Sequence, residues 1–324
     1  MNNQTVAVPL FIDAAPPDGS VEAEVTRGLS NSPRSLPPKL FYDREGSLLF
    51  DAICELPEYY PTRTETAIME SSGSDMARAL GPEVLLIEYG SGSSTKTEIL
   101  LSALQRPAGY VPIDISRGHL LESAERIARR HPGLRVLPVC ADYSRAIPGL
   151  SRLAAEHRSV VYFPGSTVGN FEPEDAAAFL AHVAKLVGPG GGLLIGVDLR
   201  KSRDVLEAAY NDSEGVTAAF NLNMLRHINA HLGSVFDVDG FRHRAIWDDR
   251  AGRIEMHLVS ERRQTIRVGD RPFAFEPGDA IVTEHSYKYT LDGFGTLAGR
   301  AGFRTENVWT DAQGWFSVHY LTAR

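Results

Sequence analysis

Short apolar runs alternate with amphipathic stretches through the middle of the chain. The apolar runs predict buried strands at residues 84–89, 110–113, 134–139, 160–163 and 192–198. Positions that repeat with the helical period predict helices at 64–80, 95–104, 118–130, 144–156 and 173–186. Strand–helix alternation at this spacing indicates a parallel sheet with helices on both faces.

A different pattern follows the last of these strands. Residues 203–232 read as helix with an interruption at Glu214 and Gly215, and residues 241–290 alternate with period two. Turn signals divide the alternating region, which therefore predicts a mixed, largely antiparallel lobe. The remaining elements are a helix at 291–301, strands at 305–310 and 315–321, and helical stretches at 20–29 and 40–56.

Size and charge narrow the class of protein. The 324 residues can bury one large core, or one core with a substantial second lobe. A formal net charge of −8 argues against nucleic acid or an anionic membrane as a partner. The first eleven residues lack a basic start and an apolar core, and no apolar stretch reaches membrane-spanning length. We therefore expect a cytoplasmic enzyme, and we expect a monomer.

Cysteines and histidines give no sign of a metal site. Cys54 and Cys140 lie far apart in apolar surroundings, which is typical of buried free thiols, and no CxxC occurs. His227 and His231 stand four apart on a predicted helix, but no Glu follows the first and no third ligand is near in sequence. A solvated helix face explains these histidines better, and we expect no bound metal.

The first predicted strand ends in an acid and a glycine turn. Residues 85–96 read LLIEYGSGSSTK, so Glu88 is followed by Gly90 and Gly92 and then by a helix. A strand that turns through glycines into a helix lets a ligand lie against bare backbone. The acid suits the ammonium of an amino-acid-like ligand and would repel a pyrophosphate. Glu-x-Gly-x-Gly is the pattern of S-adenosylmethionine (SAM) methyltransferases, and the third glycine of the dinucleotide fingerprint is missing.

Polar groups also follow the next strands. Asp114 ends the second strand, where a carboxylate accepts hydrogen bonds from ribose hydroxyls. Asp142 and Tyr143 follow the third, as an acceptor for the adenine amino group and an aromatic flank for the ring. Lys96, one turn into the first helix, can reach the cofactor carboxylate. Each acid alone could be a helix N-cap, but three at successive strand ends favour a SAM site.

The order of elements indicates the fold class. A closing helix and a two-stranded hairpin complete the seven-stranded sheet of SAM methyltransferases, an ending that a dinucleotide-binding Rossmann domain lacks. We therefore predict an α/β fold: a class I SAM-dependent methyltransferase with a Rossmann-like, mostly parallel sheet and a second α+β lobe. The predicted division gives residues 62–200 plus 288–324 to SAM binding, and residues 1–61 plus 201–287 to substrate recognition.

Six longer segments carry a resemblance to a known family. They read SLPPKLFYD, LPEYYPTRTE, EYGSGSSTKT, FPGSTVGN, GVTAAFN and TEHSYK. Together they resemble the L-histidine Nα-methyltransferases of ergothioneine biosynthesis over roughly residues 25–324. The resemblance implies transfer of three methyl groups from SAM to the α-nitrogen of L-histidine, giving hercynine and S-adenosylhomocysteine (SAH).

The resemblance also implies which residues bind the cofactor. Carried over position by position, the SAM pocket is lined by Gly90, Lys96, Asp114, Asp142 and Tyr143, with Glu88 added from the glycine-turn pattern. The departures are minor. Tyr143 stands where the family often has Phe, and Pro164 lies in the loop after the fourth strand.

The implied substrate site draws on both parts of the chain. The expected catalytic residues are Tyr42, near the amine, and Asn170. The substrate amino and carboxyl groups would be held by Tyr59, Asn170 and Tyr210, and the imidazole by Glu284 and Ser286 with Met256 beside it. Two residues apart on a predicted strand, Glu284 and Ser286 share a face. Without the resemblance, a solvated polar strand would explain this segment better.

Two other functions remain open on the sequence. A methyltransferase of the same fold could act on another amino acid, such as a tryptophan derivative. The pair of Glu284 and Ser286, together with Met256, favours histidine. A non-catalytic ligand-binding regulator on a SAM fold is the second alternative, and the intact cofactor positions and Asn170 argue against it.

Overall fold

A computed structural model describes residues 11–14, 20–92, 95–233 and 235–324. Residues 1–10, on which the prediction of no signal peptide mainly rests, lie outside these ranges, as do parts of the predicted substrate lobe. The helices are α1 (Ser20–Ser30), α2 (Arg44–Glu55), α3 (Tyr60–Leu80), α4 (Thr95–Ala103), α5 (Arg117–Arg130), α6 (Leu150–Ala155), α7 (Pro173–Val187), α8 (Arg203–Tyr210), α9 (Val216–Leu232) and α10 (Leu291–Arg300).

The strands fall in two regions of the chain. Those of the first part are β1 (Ile12–Ala14), β2 (Leu85–Tyr89), β3 (Gly109–Asp114), β4 (Val139–Ala141), β5 (Ser159–Phe163) and β6 (Gly192–Asp198). Those of the second are β7 (Phe241–Asp248), β8 (Arg253–Ser260), β9 (Gln264–Val268), β10 (Arg271–Phe275), β11 (Ala280–Tyr287), β12 (Phe303–Thr310) and β13 (Phe316–Ala323). Single 3-10 turns occur at Pro38–Phe41, Thr167–Asn170 and Val238–Gly240.

The described residues form an eight-stranded central sheet in the order β1-β4-β3-β2-β5-β6-β13-β12. Strands β1 to β6 are parallel, β13 runs antiparallel to β6, and β12 runs antiparallel to β13. The strand order reverses between β2 and β5, which is where ligands bind in open α/β sheets. The predicted fold class is confirmed. The sheet has one strand more than the predicted seven because β1, too short to give a sequence pattern, pairs with β4.

Side chains of alternate residues on the parallel strands fill the core on both faces of the sheet. In β2, Leu85 and Ile87 face one hydrophobic cluster, whereas Leu86 faces the other. Helices α7 and α10 cover the first face, with Val183 and Phe294 fully buried. Helices α3, α4 and α5 cover the second. The carboxyl ends of β2 to β5 are thereby held at one rigid edge.

A third hydrophobic cluster joins the amino-terminal segment to the antiparallel strands. Strands β11, β8 and β7 form a three-stranded antiparallel sheet, and β9 and β10 form a hairpin. Helices α1, α2, α8 and α9 pack on these strands, with Phe41, Phe220 and Trp247 in the shared core. Phe41 and Phe220 stack at 4.5 Å between ring centroids. The predicted antiparallel lobe is therefore observed as sheets of their own, while its boundaries as a domain stay a prediction.

Proline and glycine explain where the observed elements differ from the predicted ones. The predicted third strand at 134–139 is observed as Val139–Ala141 because Pro138 has no N–H to donate to a ladder. The predicted helix at 144–156 shrinks to Leu150–Ala155 because Gly149 adopts a left-handed conformation with φ of 81°.

Two helices near the amino terminus also begin elsewhere than predicted. The predicted helical stretch at 40–56 divides, since Asp43 caps α2 by accepting a hydrogen bond from the N–H of Gly46 at 2.7 Å. Helix α3 starts at Tyr60 rather than at residue 64, because Pro61 fits the first turn of a helix. Within the described ranges, no helix is both long and apolar enough to cross a membrane.

Candidate active site

A cavity of about 500 Å³ opens at the carboxyl edge of the central sheet. The six residues predicted to bind the cofactor all line it, namely Glu88, Gly90, Lys96, Asp114, Asp142 and Tyr143. Three of the predicted substrate residues line it as well, namely Tyr42, Tyr59 and Asn170. The other four, Tyr210, Met256, Glu284 and Ser286, do not line the cavity and are buried in the adjoining lobe.

The glycine turn after β2 is tied to the end of β3. Gly90 and Gly92 both have positive φ values, of 71° and 42°, which side chains other than glycine rarely adopt. The N–H of Gly92 lies 3.3 Å from Oδ2 of Asp114, whose Oδ1 accepts from the N–H of Ser116 at 2.8 Å. Burial raises the pKa of Asp114, although these backbone hydrogen bonds oppose the rise. Asp114 therefore both shapes the turn and presents a buried carboxylate to the cavity.

Glu88 is engaged by neighbouring hydroxyl groups. Its side chain is buried, one oxygen accepts from Thr97 Oγ1 at 2.7 Å, and the other accepts from the hydroxyl of Tyr110. Burial raises the pKa of Glu88 to about 8, more than these hydrogen bonds lower it. The carboxyl is therefore mostly neutral at neutral pH in the ligand-free protein. Its contact with a cofactor ammonium stays a prediction.

The ionisation of Glu88 predicts how folding stability varies with pH. Its folded pKa of about 8 lies above its ordinary value of 4.5, so the folded state binds the proton more tightly. The contribution of Glu88 to the free energy of unfolding is fully present below pH 4.5 and is lost as the pH rises through 8. Glu88→Gln cannot ionise, so it should gain up to a few kcal/mol over the parent protein between pH 5 and pH 9. Urea unfolding of both proteins at each pH measures this difference, and parallel stability curves would contradict it.

Lys96 is held by a residue that sequence reasoning missed. Its ammonium pairs with Glu65 of α3, whose carboxylate is buried and also accepts from the N–H of Gly165 at 2.9 Å. This pair joins α3, α4 and the loop after β5. Lys96 still lines the cavity, where its charge can face a carboxylate. Glu65 lies in the segment LPEYYPTRTE, but nothing local in that segment marks it as a partner of Lys96.

The residues that follow β4 contribute to the lining of the cavity. Asp142 Oδ1 accepts from the N–H of Ser144 at 3.0 Å, while Oδ2 lies 3.9 Å from Lys39 and 3.7 Å from Arg145. Tyr143 stacks on Tyr89 with centroids 5.4 Å apart and ring planes 11° apart. A carboxylate next to a fixed aromatic ring can accept from an amino group and flank a flat base.

The loop after β5 brings Asn170 to the second part of the chain. Asn170 Nδ2 donates to Glu284 Oε2 at 3.4 Å. The approach depends on Gly169, because a Cβ there would lie 2.7 Å from the carbonyl oxygen of Tyr287 on β11. The contact between the Thr167–Asn170 turn and β11 therefore joins the cavity lining to the residues predicted to hold an imidazole.

Aromatic side chains surround the junction between the cavity and β11. The ring centroid of Phe50 lies 5.9 Å from that of Tyr42 and 6.3 Å from that of Tyr59. The ring centroids of Tyr59 and Tyr210 are 6.2 Å apart. Burial raises the pKa values of Tyr42 and Tyr59 well above the ordinary value. These hydroxyls therefore stay protonated, as hydrogen-bond donors rather than bases.

Glu284 is an unusual carboxylate within β11. A bulge between Val282 and Glu284 shifts the register so that Glu284 lies opposite Met256 of β8. Burial raises the pKa of Glu284 to about 7, although Lys288 opposes the rise. His285, on the other side of the strand, hydrogen-bonds Glu172 at 2.5 Å. Because this pKa lies close to neutrality, the charge of Glu284 depends on small changes around it.

A buried charge cluster adjoins this strand and was also missed. Lys288, Lys201 and Tyr60 all contact the carboxylate of Asp198 at the end of β6. Burial favours the neutral form of Asp198, but Lys288 and Lys201 lower its pKa below the ordinary value. The cluster brings together residues from three distant parts of the chain, so no sequence pattern could have identified it.

Histidine, cysteine and acidic side chains are the residues that could hold a metal ion here. In the part of the chain that the structure describes, no group of three or more of them is arranged to hold a metal ion. His227 and His231 instead use their Nδ1 atoms for hydrogen bonds to the carbonyl oxygens of Leu40 and His227, at 2.7 and 3.1 Å.

Comparison with known proteins gives one family and several relatives. The family model described as "Histidine-specific methyltransferase, SAM-dependent" matches residues 21–323. The chain is 40% identical over 309 residues to a histidine N-alpha-methyltransferase of Mycolicibacterium smegmatis, covering 93% of this chain and 95% of that protein. It is 40% identical over 304 residues to the same-named protein of Mycobacterium tuberculosis, covering 92% and 94%. Ergothioneine biosynthesis protein 1 of Schizosaccharomyces pombe is 26% identical over 298 residues, or 89% of this chain and 39% of that longer protein.

Proposed function

The chain belongs to the family of histidine-specific, SAM-dependent methyltransferases, and from that premise we propose that it trimethylates the α-amino group of L-histidine. The product is hercynine, and the step belongs to ergothioneine biosynthesis. The hydrogen bond between Asn170, at the cavity, and Glu284, on β11, carries this proposal. It links a cavity that fits SAM to a carboxylate that fits an imidazole N–H.

The cavity lining fits each part of SAM. Asp114 accepts from the ribose hydroxyls, Asp142 accepts from the adenine amino group, and Tyr143 flanks the ring. Lys96 faces the carboxylate of the cofactor. When bound, SAM supplies an activated methyl group on its sulfonium. The work of the protein is then to hold the substrate nitrogen in line with that methyl, which contributes several kcal/mol when the reacting atoms are about 3–3.5 Å apart.

Histidine is recognised at both of its ends. Glu284 accepts from one imidazole N–H, Ser286 serves the other nitrogen, and Met256 packs beside the ring. Asn170 accepts from the amine and donates to the carboxylate through the two ends of its amide. Tyr59 and Tyr210 donate to the carboxylate without the repulsion that a second acid would bring.

The aromatic surroundings suit an amine that gains three methyl groups. A free α-amine titrates near ~8, so part of it is already neutral and needs no strong base. The raised pKa of Tyr42 keeps its hydroxyl protonated, and its place is beside the amine as an uncharged group. Aromatic faces also attract a quaternary ammonium, which favours completion of the third transfer.

Mass spectrometry of the products tests the proposed function. The purified protein is incubated with SAM and each of the common amino acids, and a parallel series omits SAM. We expect histidine alone to gain methyl groups, ending at the trimethylated species. Methylation of a tryptophan derivative with unmodified histidine would favour the other substrate class instead. The monomeric state, the cytoplasmic location and the exclusion of nucleic acid and membrane as partners stay predictions from the sequence.

A further inference from the structure

Lys288 touches two of the proposed substrate-binding hydroxyls from within the protein. Its Nζ lies 2.8 Å from Asp198 Oδ2, 2.9 Å from the hydroxyl of Tyr210 and 2.8 Å from Ser286 Oγ. Lys288 and Asp198 are 2% and 1% exposed. The proposed function does not use this lysine, and water cannot replace any of its three partners without opening the core.

Counting hydrogens fixes the direction of these bonds. A lysine ammonium has three N–H donors and no acceptor. With three acceptors in reach, Lys288 donates to all three, so Tyr210 and Ser286 both accept from it. The two hydroxyl oxygens are also 2.9 Å apart, so one of them donates to the other. Tyr210 and Ser286 together have two hydroxyl protons. One of these protons forms the hydrogen bond between the two hydroxyls, so only the other can be donated to a ligand.

The positive charge of Lys288 fixes the direction of its hydrogen bonds to Tyr210 and Ser286. Burial alone would lower its pKa, but the carboxylate of Asp198 and the hydroxyl of Tyr210 raise it above the ordinary value. A neutral amine could accept a proton and reverse the bonds, whereas the ammonium cannot. The pair of Tyr210 and Ser286 is thereby prevented from turning both hydroxyls inward.

We propose that Lys288 is a positioning residue for substrate recognition, which directs the one available proton of the Tyr210–Ser286 pair toward the bound amino acid. The proposal rests on the proposed function. The ligand atom that meets this proton must be an acceptor, such as a carboxylate oxygen or an unprotonated imidazole nitrogen. Lys288 thus helps to select the ligand without touching it.

Histidine affinity of the SAH-bound enzyme tests this role. Lys288→Met should raise the Kd for histidine by about tenfold or more, measured by calorimetry. Without the ammonium, nothing directs a hydroxyl proton of Tyr210 or Ser286 toward the substrate. The affinity of this variant for SAH should not change. Lys201→Met is the matched control, since the largely buried side chain of Lys201 also pairs with Asp198 but hydrogen-bonds Tyr60 instead of the hydroxyl pair. Lys201→Met should keep the histidine affinity of the parent protein.

A mutant cycle separates positioning from general support of the fold. In a Tyr210→Phe, Ser286→Ala background, adding Lys288→Met should cause no further loss of histidine affinity. Equal losses in both backgrounds would overturn the inference, as would equal Kd values for Lys288→Met and the parent protein. If Lys288→Met does not fold, the double variant Lys288→Met, Asp198→Asn removes Lys288 together with the carboxylate it pairs with, and carries the same test. A parent protein that binds and methylates no histidine would overturn the proposed function instead.

Discussion

Replacing Asp114 with alanine should weaken SAM binding by about 2–4 kcal/mol, roughly 30- to 1,000-fold in Kd. The variant loses a buried acceptor for the ribose hydroxyls and also the bond that ties Gly92 to the end of β3. Calorimetry with SAM alone measures the loss without any contribution from histidine. An isotherm equal to that of the parent protein would remove Asp114 from the cofactor site.

A matched control for this variant lies outside the cavity. Asp311 also holds a turn through its carboxylate, accepting from the N–H groups of Trp315 and Phe316 at 2.8 Å. Asp311→Ala should therefore lose stability but keep the SAM affinity of the parent protein. Similar losses of SAM affinity in both variants would mean that turn geometry, and not the ribose contact, explains the effect at Asp114.

Glu284→Ala should weaken histidine binding by about 1.5–3 kcal/mol, the range for a hydrogen bond to a charged group, and leave SAM affinity nearly unchanged. Glu255→Ala is the control, because Glu255 lies on the neighbouring strand β8, where it is ion-paired with Arg253 of the same strand, and has no proposed contact with the substrate. Titration of histidine into the SAH-bound proteins measures both. Equal histidine affinity in Glu284→Ala and the parent protein would defeat the assignment of Glu284 to the imidazole.

The same residue predicts a pH dependence. With a pKa of about 7, Glu284 is ionised above that pH and protonated below it. Its advantage as an acceptor is therefore present at pH 8 and lost as the pH falls toward 6. Glu284→Gln cannot ionise, so the ratio of its histidine Kd to that of the parent protein should shrink as the pH falls. Because both proteins meet the same substrate, the titration of histidine itself cancels in this ratio.

The sequence predicts most of the central sheet because its strands are buried on both faces. Runs such as that of β2 admit few polar residues, and this leaves a clear pattern in the sequence. The pattern fails where covalent structure decides the outcome. Pro138 delays the start of β4, Gly149 shortens α6, and β1 is only three residues long.

The sequence predicts the residues of the candidate site that lie at strand ends. It does not predict the residues that hold them in place. Asp114 and Asp142 follow apolar runs, so their place at the carboxyl edge follows from topology. Glu65, Lys288 and Asp198 act through contacts between distant segments, and each alone looks like an ordinary charged residue. Only the folded chain shows that their partners are Lys96 and the hydroxyls beside β11.

The close approach at Gly169 has a consequence for redesign of the enzyme. There the backbone of one segment rests on the backbone of Tyr287, with no space for a side chain between them. Any larger residue at this position would force the Thr167–Asn170 turn away from β11 and separate Asn170 from Glu284. Engineering toward a new amino-acid substrate should therefore vary Glu284 and Ser286, whose side chains can be exchanged. Gly169, which contacts the backbone of Tyr287, should be kept.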